Sequence, residues 1–256
     1  MNGFMPVFKR EMREYFNSPI AYVVITLFLL LCGVTFWIMC ASYAKFSMQA
    51  MNNPYMAQQL NLTEMIFGAV FNTISVFMLL FMPVLTMRSF SEEKRSGTIE
   101  LLFTYPISDW QAILGKFSAA LSVFVIMLLC TGLYPLLTAW IATPEIGPIL
   151  SGYLGVLLMG ASFLALGILA SSLTENQIVA AVLALGSYLL LWFVGWGAQL
   201  TDPGTGDLLK ALSVIDHFDP FVEGVIELQH VAYYVLFTFF CLFLTSRVLE
   251  SKKWRG

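Results

Sequence analysis

The sequence has few charged residues: Asp, Glu, Lys and Arg together make up 11% of its 256 residues, against roughly 25% in an ordinary soluble domain. Apolar residues make up 59% of the chain, so too few polar side chains remain to build a surface that faces water. The formal net charge is only -3, which leaves no basic field for holding nucleic acid. These shortages exclude a soluble domain and a nucleic-acid-binding protein.

Motifs for catalysis are also missing. A nucleotide-hydrolysing loop needs the pattern G-x-x-x-x-G-K-[ST]. The sequence has a single Gly-Lys pair, Gly115-Lys116, but Trp110 occupies the position of the first glycine and Phe117 follows the lysine. We therefore expect no enzyme and no cofactor in this chain. The cysteines lie in apolar runs without the spacing of a zinc site or a disulfide framework; they are Cys32, Cys40, Cys130 and Cys241.

Long apolar runs are abundant instead. A helix needs about 20 mainly apolar residues to cross a bilayer, and six windows qualify, five of them without any Asp, Glu, Lys or Arg. The sixth is shorter and has His230 near its start. Pro83 and Pro135 fall inside spans, where we expect kinks rather than breaks. The predicted spans are 21–44, 66–87, 117–142, 149–173, 177–200 and 228–246.

The distribution of Lys and Arg predicts the orientation. Short loops rich in these residues stay in the cytoplasm, and every Lys and Arg except Lys45 and Lys210 falls on the side of the N-terminus. Both termini are therefore expected in the cytoplasm, with the chain in a bacterial inner membrane. The segments between the spans are too short for a soluble domain, so the sequence predicts one all-α polytopic membrane domain over residues 1–256.

Two segments on the predicted inner side could contact a partner. In the loop 88–116, Ile99, Leu102 and Phe103 have helical spacing and would form an apolar face suited to another protein's groove. The alternative is that inner loops are charged simply because of the positive-inside rule. The N-terminal segment 1–19 predicts an amphipathic helix at the lipid interface, with membrane lipid as its partner, although direct contact with a protein is compatible with this.

Two shorter patterns concern helix ends. Ser108 and Gln111 have the spacing of a capping box, which predicts the start of a new helix leading into the third span. In the outer loop 201–227, Asp216, His217 and Asp219 are potential metal ligands. A single cluster of this kind favours helix capping and hydrogen bonding over a metal site, so no metal ligand is predicted.

Together these features resemble a known family. The sequence combines an amphipathic N-terminal helix ending in Asn17-Ser18-Pro19 with six spans, an inner-loop stretch Glu-Lys-Arg-Ser-Gly-Thr-Ile-Glu-Leu-Leu ending at Leu102, a following Pro-Ile-Ser, and Gly115-Lys116-Phe117 at the membrane. This combination is similar to the ABC-2 class of ABC transporter permeases over nearly the whole chain. The tail, with its His217-Phe218-Asp219-Pro220-Phe221 stretch, is most similar to gliding-motility-type permease subunits.

The resemblance implies a set of sites. The inner loop would contain the coupling helix that fits a cleft in a separate cytoplasmic ABC ATPase, and the N-terminal interface helix would also touch that ATPase. The outer residues 208–227 would form a pair of short re-entrant helices. The implied coupling residues are Glu92, Glu93, Lys94, Arg95, Gly97, Thr98, Glu100, Leu101 and Leu102, and the implied interface-helix residues are Phe8, Lys9, Arg10, Met12 and Arg13.

The resemblance also implies a function. The chain would be the permease subunit of an ATP-driven transporter, with ATP and magnesium bound by the partner ATPase and export across the inner membrane. A second permease copy or a paralogue and an auxiliary envelope subunit would complete the complex. The alternative is a mechanotransmitting or scaffolding subunit that translocates nothing itself. An intramembrane enzyme is disfavoured, because the spans lack the charged groups that mark such sites.

Overall fold

The computed structural model describes residues 3–51, 61–98, 108–198 and 203–253. Within these ranges the chain is helical and contains no strand. The helices, in chain order, are α1 (Phe4–Asn17), α2 (Pro19–Ala50), a π-helical turn (Glu64–Gly68) that continues into α3 (Ala69–Thr86), α4 (Ser91–Arg95), α5 (Asp109–Thr131), α6 (Leu133–Ile141), α7 (Ile146–Leu173), α8 (Gln177–Ala198), α9 (Pro203–Leu212), α10 (Val214–Val222) and α11 (Leu228–Lys253).

Six helical stretches are long and apolar enough to cross a membrane, which confirms the predicted all-α polytopic fold. Most extend beyond the predicted spans. The third starts at Asp109 rather than 117, because the capping box at Ser108 begins the helix. The sixth is not short, since α11 continues to Lys253. Apolar composition marks the part of a helix that suits lipid, whereas the helix itself ends where its caps and packing end.

The capping box is present as predicted. The Ser108 hydroxyl accepts a hydrogen bond from the Gln111 backbone N–H at 3.3 Å, and the Gln111 side chain accepts one from the Ser108 N–H at 3.2 Å. These two bonds satisfy N–H groups that the first helical turn leaves without partners. They fix the start of α5 at the end of the inner loop.

The two intramembrane prolines behave differently. Helix α3 continues through Pro83, and the Met87 N–H donates to the Pro83 carbonyl at 2.8 Å. Near Pro135 the third span is interrupted at Gly132, between α5 and α6. Proline has no N–H to donate to the carbonyl four residues earlier, here that of Thr131, and its ring crowds that carbonyl. The third span is therefore divided into a long helix, α5, and a short helix, α6.

Helix α7 is the central element, because it packs against α3, α5, α8, α10 and α11. Small residues permit this crowding. A Cβ on Gly160 would overlap the buried ring of Phe124 from α5, and one on Gly155 would lie 2.6 Å from the Phe221 Cβ of α10. Close approach through small residues is the usual way that helices pack in a membrane, where lipid is as apolar as the side chains.

The short helices α9 and α10 precede the last span. The Ser151 hydroxyl of α7 donates to the Phe221 carbonyl of α10 at 2.6 Å, and the Tyr234 hydroxyl of α11 donates to the Val214 carbonyl at 2.7 Å. Gly155, which also contacts α10, lies roughly 13 Å along the helix axis from the first residue of α7 at a rise of 1.5 Å per residue. Helix α10 is thus packed among the spans rather than above them.

Candidate functional site

Four charged side chains meet where α1 and α4 contact the start of α5. The Lys116 ammonium lies 2.7 Å from Glu11 Oε1 and 3.0 Å from Glu93 Oε1. Arg10 lies 2.8 Å from the same Glu11 oxygen and also pairs with Glu93. We call Arg10, Glu11, Glu93 and Lys116 the ion cluster. It joins three helices that are far apart in the sequence.

The close packing of α1 on α5 creates this cluster. A Cβ on Gly115 would lie 2.7 Å from Val7 Cγ1, so only glycine lets the two helices approach this closely. The next residue, Lys116, is directed beneath α1 with 2% of its side chain exposed. Its ammonium also lies 5.1 Å from the centre of the Phe90 ring. A cation buried to this extent is stable only beside opposite charges, and the two carboxylates supply them.

The charges in the cluster influence one another. Burial alone would lower the pKa of Arg10, but its hydrogen bonds and charge contacts with Glu11 and Glu93 outweigh burial and raise that pKa, so the guanidinium stays charged. Glu14 lies 3.4 Å from Arg10 on the exposed side of α1. Partial burial and the neighbouring Glu11 raise the pKa of Glu14. The ion cluster therefore contains two cations and two carboxyl groups, with Glu14 as a further carboxyl group beside Arg10.

A second set of contacts holds α4 to the end of α7. The Lys94 ammonium donates to the Ser172 carbonyl. The Ser171 hydroxyl accepts hydrogen bonds from the N–H groups of Phe90 and Ser91 at 3.0 and 3.1 Å and donates to the Met87 carbonyl at 3.0 Å. The last carbonyls of a helix lack partners within the helix, and a cation is favourable there. Helix α4 is thus held on two sides.

The structure divides the predicted coupling residues into two groups. Glu93 and Lys94 point into the protein, Glu93 to the ion cluster and Lys94 to α7. The exposed group comprises Glu92, Arg95, Gly97 and Thr98. Gly97 has φ of 70° and ends α4, a conformation that favours glycine. The remaining residues, Ile99, Glu100, Leu101, Leu102 and Phe103, lie outside the described residues.

The predicted interface-helix residues of α1 are also divided. Phe8 and Met12 are half-buried against the bundle, whereas Lys9 and Arg13 are exposed and Arg10 belongs to the ion cluster. The outer face of α1 is shallowly concave; it is lined by Met5, Pro6, Lys9, Arg10, Arg13, Glu14 and Asn17. Helix α1 therefore packs on protein through one face and presents a mainly basic face on the other.

Sequence reasoning missed the residues that hold α1 and α4 in place, namely Glu11, Lys116, Ser171 and Ser172. One signal was available. Val7, Glu11 and Tyr15 follow one another at helical spacing on the inner face of α1, and Tyr15 donates to the Leu85 carbonyl at 2.8 Å. A carboxylate between two buried residues needs a cation, but periodicity cannot say which lysine supplies it.

His217 of α10 belongs to a stacked aromatic group with residues of α11. The His217 ring stacks on Tyr233 at 3.9 Å between centroids and lies 5.1 Å from the His230 ring. The Ser213 hydroxyl caps α10 by accepting from the Asp216 N–H at 3.3 Å, and the Ser213 carbonyl lies 2.9 Å from His217 Nδ1. Within the described ranges, His, Cys, Asp and Glu form no group of three that could hold a metal ion.

Comparison with known proteins agrees with this architecture. The family model described as ABC-2 family transporter protein matches residues 5–246. No curated protein matches the chain significantly. The matched range covers α1, the inner loop and all six candidate spans up to the last turns of α11. The chain belongs to the ABC-2 family of transporter proteins and is a multi-pass membrane permease subunit that is not itself catalytic.

Proposed function

We propose that this permease subunit couples ATP hydrolysis by a separate cytoplasmic ABC ATPase to export across the bacterial inner membrane. The family generally works with such an ATPase. The observation that carries the proposal is the division of charges on α4. Glu92 and Arg95 face outward, while Glu93 and Lys94 hold the same short helix to α1, α5 and α7. A segment that transmits motion needs both an exposed face for its partner and firm contact with the spans.

The orientation follows from the basic residues. The ion cluster, α4 and the exposed Lys9 and Arg13 lie at the end of the bundle that the positive-inside rule assigns to the cytoplasm. In this arrangement the ATPase binds ATP and magnesium, contacts α4 and lies beside the basic face of α1. A second permease copy or a paralogue, an auxiliary envelope subunit and membrane lipid are the further partners that we propose.

Helices α9 and α10 would form the outer re-entrant segment. Their position supports this, since α10 packs at the level of Ser151 and Gly155 of α7 and is held by Tyr234 of α11. The subsegment 208–227, which the sequence assigned to this role, contains the end of α9 and all of α10. The similarity of the tail to gliding-motility-type permeases remains a prediction.

The proposal is tested by affinity purification of the tagged chain from its native membrane in mild detergent. We expect an ATPase with a phosphate-binding loop to co-purify with the wild-type chain. The double variant Glu92→Lys/Arg95→Glu should lose it, because both exposed charges of α4 are reversed. Asp207→Lys/Lys210→Glu is the matched control, since it reverses two exposed charges on α9.

Two outcomes would contradict the proposal. One is a wild-type chain that is recovered without any ATPase under conditions that preserve complexes. The other is a folded Glu92→Lys/Arg95→Glu variant that binds the ATPase as well as the α9 control does. In the second case the contact surface would lie elsewhere than on α4.

A further inference from the structure

Lys116 has an unusual position among the residues of the third span. It belongs to α5, has 2% of its side chain exposed, and contacts two carboxylates that come from different elements, Glu11 of α1 and Glu93 of α4. A lysine that only needed charge compensation would be satisfied by one of them. Among the described residues of the spans, it is the charged side chain that pairs with α1 and α4 at the same time.

Other contacts of α4 lead to other helices, since Glu93 also pairs with Arg10 of α1. Lys94 and Ser171 connect α4 with the end of α7, and Val7 packs α1 on Gly115 without involving α4. The ion pair between α4 and α5 is made by Glu93 and Lys116, and it lies beside the apolar packing of Phe90, the residue before α4, with Ile113 of α5. Two adjacent residues of α4 thus contact two different spans: Glu93 pairs with Lys116 of α5, and Lys94 donates to the Ser172 carbonyl of α7.

Lys116 also prevents repulsion within the cluster. The Oε1 atoms of Glu11 and Glu93 both lie within 3.0 Å of its ammonium, so the two carboxylates point at the same place. Without Lys116, only Arg10 would remain beside the carboxyl groups of Glu11, Glu14 and Glu93. Like charges in a partly buried site repel strongly because water screens them poorly. That repulsion would push α4 away from α1 while Lys94 still held α4 to α7.

We propose that Lys116 is a positioning residue that makes α1, α4 and the start of α5 move as one unit, so that displacement of α4 reaches the third span. The inference rests on the proposed function, because it takes the ATPase as the source of the displacement. The inference gives α1 a second role besides contact with lipid or the ATPase, because Glu11 of α1 pairs with the same lysine as Glu93 of α4. Lys116 is thus the side chain of α5 that pairs with both α1 and α4.

The first experiment measures the local linkage in the purified full-length permease. Spin labels on Met5→Cys of α1 and Ser96→Cys after α4, both at exposed positions, report the distance between the two elements. The native cysteines are replaced in this background. Lys116→Met should lengthen and broaden this distance, and Lys116→Arg should restore it. Lys94→Met is the matched control, which removes a buried lysine of α4 and should leave the α1-to-α4 distance unchanged.

The second experiment measures transmission in the complex with the co-purified ATPase. Labels on the exposed native Cys130 of α5 and on Gly147→Cys, at the start of α7, report movement at the far end of the bundle. We expect trapping of the ATP-bound state to change this distance in the wild-type and Lys116→Arg complexes. The change should be lost in Lys116→Met, although the ATPase still binds. A merely structural lysine would not separate binding from movement in this way.

If Lys116→Met does not fold, it cannot test the linkage, so the double variant Lys116→Met/Glu93→Gln is included. In this variant the Glu93 carboxylate, which has lost its cation Lys116, is neutralised. It should fold and should also lose the nucleotide-dependent change. A folded Lys116→Met variant with the wild-type α1-to-α4 distance, or with the wild-type nucleotide response, would overturn the inference. Recovery of the wild-type chain without an ATPase would instead refute the proposed function, and the α1-to-α4 distance would still decide the linkage.

Discussion

At the scale of single residues, the buried charges near the start of α5 are costly to remove from water. Desolvating an ammonium or a carboxylate costs several kcal/mol, and a partner with good geometry is needed to offset it. Glu11 and Lys116 meet this condition with a 2.7 Å contact between side chains that are 7% and 2% exposed. Replacing either residue removes this contact and leaves its partner with fewer opposite charges, Glu93 for Lys116 and Arg10 for Glu11.

Glu11→Ala should therefore destabilise the protein strongly. Loss of one partner of a buried pair costs about 3–5 kcal/mol when the other charge is left uncompensated, and the cost here falls toward the lower end because Glu93 still pairs with Lys116. Loss of an exposed charge costs at most about 1 kcal/mol. Glu14→Ala is the matched control on the same helix, because its side chain is 63% exposed. The measurement is the midpoint of thermal unfolding in mild detergent. Equal midpoints for the two variants would show that Glu11 is not buried against Lys116.

His217 of α10 should make the stability of the protein depend on pH. Burial lowers the pKa of His217 from its ordinary value of 6.5, and the neighbouring His230 acts in the same direction. The unfolded chain then binds a proton more readily than the folded one, so stability is full above pH 6.5 and is lost as the pH falls toward the folded-state pKa. The groups facing this ring are Asp216 on its own helix and His230 and Tyr233 on α11.

The variant His217→Phe keeps a ring that can stack on Tyr233 but removes the titrating group. We expect the difference in unfolding midpoint between wild type and variant to change when the pH is lowered from about 8 to about 5.5, the range in which an imidazole gains its charge. The wild type should lose more stability than the variant. Asp219 titrates in both proteins, so its contribution to the pH dependence of stability cancels in the comparison. Parallel pH profiles would contradict a buried neutral His217.

At the scale of elements, the close contacts of α7 decide where the spans can lie. The absence of charge identified this helix as a span, but it did not indicate that five other helices pack around it. The positions of the glycines in the sequence indicate these contacts only in part. Spacing alone cannot distinguish a glycine that packs against an aromatic ring from one with open space beside it. In the structure Gly160 meets Phe124, whereas Gly186 of α8 has no neighbour within 4 Å of the position of a Cβ.

Gly160→Ala and Gly186→Ala should accordingly have opposite effects. The first forces a Cβ into the Phe124 ring, and overpacking of this kind costs about 1–3 kcal/mol or more. The second adds a better helix former in open space, which is worth up to about 1 kcal/mol in a helix interior. Unfolding midpoints in the same detergent test the pair. A destabilising Gly186→Ala would mean that another surface covers α8 in the folded state.

At the scale of the whole molecule, the sequence predicted the six spans, the start of α5 and the family, because apolar length, capping patterns and contiguous motifs are local features. It did not predict which residues of the inner loop face inward. Glu92 and Glu93 are neighbours with the same side chain, yet one is exposed and the other pairs with Lys116. That difference depends on how α4 packs against α1 and α5, which are distant in the sequence.

The orientation in the membrane is also a property of the whole molecule, and it depends on the proposed placement of the basic residues. Ser96, beside α4, and Gly204, at the start of α9, are both exposed and belong to segments that the positive-inside rule places on opposite sides. In a background without the native cysteines, we expect a membrane-impermeant maleimide to label Gly204→Cys in spheroplasts. Ser96→Cys should react only after the membrane is opened. Labelling of Ser96→Cys in intact spheroplasts would place α4 and the ion cluster outside the cell and would remove the basis for contact with a cytoplasmic ATPase.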